Sequence, residues 1–111
     1  MAAVGDGQSR IFFAGGSANP YNFNGIGYDG VPSEPSAEVF SYNLENSAWE
    51  CRGHLPEATM DHRGLLTHEG WFYIIGGMRN GQNVTAEVLK FKPAPARICR
   101  AGIQQISAPN P

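Results

Sequence analysis

Cysteine is scarce in this chain: Cys51 and Cys99 are the only two among 111 residues. They form no Cys-x-x-Cys pair and have no metal-ligand spacing, which excludes a zinc ribbon or a dithiol redox motif. We expect two free, mostly buried thiols. A mutual disulfide is the alternative, and it turns on a distance that a sequence does not carry. Basic charge is scarce as well. Lys and Arg total 8 against 10 Asp and Glu, for a net charge of −2, and no basic run occurs. That leaves no electrostatic footprint for nucleic acid. No apolar stretch approaches the roughly 20 residues of a membrane span. The stretch from Met1 to Arg10 lacks a basic region followed by an apolar one, so no secretion signal is visible and the expected compartment is the cytoplasm by default only.

Catalytic signatures are missing too. There is no Ser-His-Asp motif, nucleophile elbow or phosphate loop. Gly25-Ile26-Gly27 lacks the flanking strand and helix of a dinucleotide site. Asn83-Val84-Thr85 fits a glycosylation sequon, but without a secretory signal it reads as chance. No cofactor is implied.

Glycine and proline, by contrast, are plentiful, at 14 and 8, while hydrophobic content is 41%. That composition points to one globular domain of short strands and many turns, an all-β fold. The stretch that organises it is Trp71-Phe72-Tyr73-Ile74-Ile75-Gly76-Gly77. Five apolar or aromatic residues without alternation predict a strand buried on both faces, ended by glycines that permit angles a side chain forbids. Ile11-Phe12-Phe13-Ala14-Gly15-Gly16 echoes it.

The echo extends along the chain. Ser36 to Asn43 alternates with period two and reads as a strand. Ala48 to Arg52 reads as a short outer strand anchored by Trp49. Gly53 to Asp61 reads as a connection broken by Pro56, with a helical turn allowed at Glu57 to Met60. Arg63 to His68 can be a strand. Thr85 to Lys92 repeats Ser36 to Asn43 position by position, with Ala-Glu-Val identical in both. The paired glycines recur after 61 residues and Ala-Glu-Val after 49. The difference is absorbed by the long loop from Ser17 to Pro35. A period near 50 suits the kelch class of repeats.

With Gly15-Gly16, Gly76-Gly77, the Glu38 and Glu87 strands, Trp49, Leu55-Pro56, Arg63 and the Gly70 turn in that order, the chain resembles the kelch-repeat β-propeller family over Arg10 to Lys92. The resemblance implies two partial four-stranded antiparallel blades in an incomplete ring. Residues 1–52 would form the first blade, with the loop 17–35 inserted and its first strand missing or reduced to Met1–Val4. Residues 53–92 would form the second. Residues 93–111 would be a Pro-rich tail, or a degenerate outer strand of the second blade near Arg97–Gln104. Propellers close with four to eight blades. Fewer than two would leave apolar faces uncovered, so further blades or self-association are expected.

In that family the Ser17–Pro35 and Gly53–Asp61 connections share one face. Tyr21, Asn22, Asn24, Tyr28 and Asp29 could offer rings and amides to a partner, or could pack an ordered insert onto its own blade. Asp61, His62 and Arg63 form the densest polar cluster. Arg63 could fork onto a ligand carboxylate, or join an ion pair with Glu38 or Glu87. His62 and His68 lie about 20 Å apart on an extended strand, too far to share a metal ion. The resemblance implies a non-enzymatic module that binds a protein through its loop face. The alternative is part of a sugar-acting propeller, since the family includes sialic acid mutarotases and the copper enzyme galactose oxidase. The copper reading fails because Cys51 falls on an outer strand.

Overall fold

The computed structural model describes residues 1–21, 24–62 and 64–99, with strands, turns and loops and no helix among them. The strands are β1 (Ala2–Gly5), β2 (Arg10–Ala14), β3 (Ser36–Asn43), β4 (Ala48–Thr59), β5 (Leu66–His68), β6 (Trp71–Ile75), β7 (Met78–Arg79), β8 (Asn83–Val84), β9 (Val88–Phe91) and β10 (Arg97–Ile98). They form an antiparallel sheet of order β1-β2-β3-β4-β10, a second of order β5-β6-β9, and the small β7-β8 ladder.

The first sheet begins with a strand the sequence placed weakly. Ala2–Gly5 pairs in full with Ile11–Ala14. Asp6 makes the turn, its carboxylate accepting from the Gln8 and Arg10 amides at 2.8 and 3.2 Å. β3 runs over Ser36–Asn43, where its period of two put it. β4 differs from expectation. It continues past Arg52 through the supposed Gly53–Asp61 connection, and Glu57–Thr59 is strand rather than helical turn. The register explains how Pro56 is tolerated. Ser36 faces Thr59 and Glu38 faces His54, so β4 bulges by several residues around the proline. A bulge needs no ladder donor there.

The second sheet corrects another expectation. The Trp71–Ile75 run does not bury both faces. Phe72 and Ile74 are buried, whereas Trp71 and Tyr73 are half-buried and Ile75 is 57% exposed. β5 is shorter than the Arg63–His68 strand foreseen, and β9 is shorter than Thr85–Lys92.

The core lies between the two sheets. Phe12, Ala14 and Val39 from the first pack with Phe72, Ile74 and Phe91 from the second, and Leu55 and Leu65 fill in. The Phe12 and Phe72 rings sit 4.9 Å apart, and Phe72 and Phe91 5.7 Å. Each such side chain contributes about 1.5–3 kcal/mol by leaving water. At the margin of this face Glu50 takes a bidentate fork from Arg10, at 2.7 and 3.1 Å, and a hydroxyl from Ser41 at 2.7 Å. The Arg10 hydrogen bond leads, with Ser41 adding to it, in holding the Glu50 carboxyl down at about 2.

The cysteines also overturn an expectation. Cys51 and Cys99 form a disulfide, with Cα atoms 5.1 Å apart, and are not free thiols. The tail explains the pairing. Ala94 donates to the Arg52 carbonyl at 2.8 Å, and Arg97–Ile98 then pairs with Cys51 and Glu50. This strand was expected beside the second sheet. It adds to the first instead, and residues 100–104 of the expected strand lie outside the described residues.

Candidate functional site at the loop-bearing end

Both glycine pairs leave their strands at the same end of the molecule, and both are fastened alike. The Gly15 amide donates to the Glu38 carbonyl at 3.0 Å, and the Gly76 amide to the Glu87 carbonyl at 2.9 Å. Ser36 donates back to Gly16 at 2.8 Å, and Thr85 back to Gly77 at 3.0 Å. The Ser36 and Thr85 hydroxyls accept from the Glu38 and Glu87 amides, each at 3.1 Å. All four glycines have positive φ, from 68° to 103°. Only glycine adopts such angles without a steric penalty.

The chain crosses from the first sheet to the second between these two exits. Thr59 accepts from the Gly16 amide at 2.9 Å, and Met60 exchanges two backbone bonds with Met78. His62 follows, beside Asp61. The His62 side chain turns inward, only 6% of the residue is exposed, and Nε2 lies 3.0 Å from the Ala14 carbonyl. A carbonyl only accepts, so Nε2 carries the proton. Burial lowers the imidazole pKa below its ordinary value, and the Ala14 bond opposes that shift in part. His62 therefore braces the crossing. Asp61 beside it is exposed, with φ at 56°. Arg63 lies outside the described residues. Arg79 also reaches Glu87, its Nη1 meeting that carboxylate at 2.8 Å and Glu57 at 3.1 Å.

The described residues of the long loop 17–35 are held by their own polar groups. Tyr21 bridges to Gly27 and Ile26 to Pro32. The Asn24 side chain accepts from the Ile26 amide at 3.1 Å, and Asp29 from the Val31 amide at 2.9 Å. These are local side-chain turns. Ser33 donates to the Asn19 carbonyl at 2.7 Å, and Gln82 reaches across from the β7-β8 loop to Ser33 at 2.8 Å. Gly25 approaches Met78 so closely that a Cβ would lie 2.7 Å from its sulfur. The two loops are thus one packed layer.

On that layer Tyr28 stands 79% exposed, and Val31 is 54% exposed nearby in the chain. Of the residues singled out from sequence, Tyr21, Asn24, Tyr28, Asp29 and Asp61 all sit on loops at this end. Asn24 and Asp29 hold turns. Gly15, Gly16, Gly76, Gly77, Glu38 and Glu87 do the fastening described above. Trp49 lies on β4 and packs against Phe13 and Tyr42, with ring centroids 5.5 and 4.9 Å apart. Sequence reasoning missed Val31, Gln82 and Arg79. The first two carried no signal. Arg79 follows directly on the glycine pair and one methionine, within reach of the Glu87 strand. Among the described residues no three His, Cys, Asp or Glu side chains are grouped to hold a metal ion.

No family model, curated protein or solved structure matches this chain. Its function is therefore argued from its repeat pattern and its geometry.

Proposed function

We propose that the chain is a segment of a kelch-type propeller and serves as a non-enzymatic module that binds a protein through its loop-bearing end. The matched fastening of the two glycine exits supports the repeat. One observation carries the binding reading: Tyr28 is presented, mostly exposed, on a loop whose turns and neighbours already fix it. An aromatic ring on a fixed loop offers contact area at small entropic cost. The sugar-acting alternative would need a converging polar cleft, and the buried, bonded His62 does not contribute to one.

The test is a photo-reactive phenylalanine analogue placed at position 28, with the same group at Leu44 as a control. Leu44 is 56% exposed and lies in the β3-β4 turn, at the opposite end of the first sheet. Illumination in an extract of the source cells should give discrete protein adducts from position 28 and none from position 44. Equal labelling from both, or binding on a glycan array abolished by Tyr28→Ser, overturns the reading.

A further inference from the structure

From sequence alone Asn83-Val84-Thr85 reads as chance, because no secretory signal accompanies it. The disulfide reverses that reading. Cys51 and Cys99 are the only cysteines, and they are joined, so the chain holds no free thiol. Structural disulfides persist in oxidising compartments. Those of the cytosol are mostly transient bonds with catalytic or sensing roles, which need solvent access. Here Cys99 is 5% exposed, and Arg97 and Ile98 just before it pair with Cys51 and Glu50. A bond sheltered in this way is a structural one, and it places the folded chain outside a reducing cytosol.

The second observation is where folding leaves the sequon, the only Asn-x-Ser/Thr in the chain. In the β7-β8 ladder Met78 pairs with Val84 and Arg79 with Asn83. Residues 80–82 make the tip, with Gly81 and Gln82 at φ 76° and 59°. Gln82 ties this hairpin to the 17–35 loop through the Ser33 carbonyl. Asn83 next to it is exposed, as is Val84 at 79%. The Asn83 amide bonds within its own hairpin, Nδ2 donating to the Asn80 carbonyl at 2.8 Å. A sugar replaces one of its two amide hydrogens, and the side chain is no part of the core cluster. A bulky, solubilising group belongs at such a surface turn.

We propose that Asn83 is a modification site and carries an N-linked glycan. The donor is an oligosaccharide held on a polyprenyl-type lipid diphosphate. Asn83 Nδ2 bonds to C1 of the first sugar as the C1–O bond to the diphosphate breaks. The lipid diphosphate leaves with that electron pair, the amide gives up one proton, and nothing is oxidised or reduced. Thr85 supplies the hydroxyl the sequon requires. In the folded chain this hydroxyl accepts from the Glu87 amide at 3.1 Å, a bond that Ser36 makes equally well to Glu38. The site depends neither on the repeat nor on a role for Tyr28.

Peptide mapping of the chain from its source cells, with free thiols alkylated at lysis, is the test. Trypsin cuts after Arg79 and Lys90 and isolates the sequon in peptide 80–90. That peptide should be missing at its unmodified mass. It should appear after treatment with peptide-N-glycosidase in heavy-oxygen water, with the label at position 83. Fragment ions distinguish this from deamidation at Asn80-Gly81. In the same cells Asn83→Gln should lose the glycan, whereas Thr85→Ser, which keeps both the sequon and the Glu87 bond, should retain it. Peptide 80–90 recovered mainly unmodified overturns the proposal, and so does a glycan that survives Asn83→Gln. In the first case the cysteine peptides 11–52 and 98–100 show where it failed. Joined, they leave the compartment standing and remove the site; alkylated, they remove the compartment as well.

Discussion

The two sheets share a backbone plan but not an environment. Glu38 and Glu87 are held alike, each carbonyl accepting from the first glycine of its pair and each amide donating to the Ser36 or Thr85 hydroxyl, yet Val39 is 2% exposed and its counterpart Val88 is 54% exposed. Ala14 is fully buried and its counterpart Ile75 is not. Hydrogen bonding in these units is set locally, by glycine angles and the Ser or Thr ahead of the glutamate. Burial is set by which neighbour each face has. A repeat can therefore be complete in its ladder and incomplete in its core.

The largest expected break in the comparison comes from the two equivalent aromatics. Phe12→Ala should cost about 4 kcal/mol, in the range for a buried phenylalanine. Tyr73→Ala, on the outer face, should cost about 1 kcal/mol, the typical loss for a partly buried position. Urea unfolding of each variant measures both. Near-equal losses would show that the second sheet's outer face is already covered.

The glycines sharpen the comparison next. Gly15 and Gly76 have nearly the same φ, 68° and 76°. A Cβ on Gly15 would lie 2.6 Å from both the His62 ring and the Thr59 carbonyl, whereas on Gly76 its nearest contact is the Thr85 carbonyl at 3.3 Å. Gly15→Ala should therefore lose about 3 kcal/mol, angular strain plus overpacking. Gly76→Ala should lose about 1–2 kcal/mol, from strain alone. Melting both side by side checks the difference.

The smallest effect is pH dependence, and it should map to the first sheet and the crossing. His62 is lowered from 6.5, so the unfolded chain binds a proton more readily than the folded one. Stability should fall as pH drops through that value and below. Glu50 is lowered from 4.5 to about 2. Its contribution is full above 4.5 and disappears as pH falls toward 2. Position 71, the counterpart of Arg10, is Trp, so the second sheet lacks this fork. In midpoint-versus-pH curves, His62→Gln should remove the upper decline and Glu50→Gln the lower one. Curves unchanged by either substitution would contradict the assignment.

Much of the fold could be read from residue order. The Ser36–Asn43 alternation and the Trp71–Ile75 run located β3 and β6 to the residue, because each had turn residues on both sides. β4 was cut short because proline speaks against strand, and nothing local marks a bulge that shelters one. The facing of β6 was hidden because all five of its residues are apolar. Only the presence or absence of a neighbouring sheet tells Phe72 from Tyr73. The disulfide was illegible since pairing depends on where the tail travels, and a tail rich in proline gives no direction. In the candidate site, Tyr28 and Asp29 were correctly placed on a loop. That His62 would be buried was hidden, because polarity in sequence does not say which way an imidazole points.

The Cys51–Cys99 bond has one more consequence. It turns residues 51–99 into a covalent ring that contains the whole second sheet, anchored at its closure on the first. A protease that cuts once anywhere inside that ring would release nothing. The nicked chain would keep its mass on a non-reducing gel and separate into two pieces only after a reductant is added.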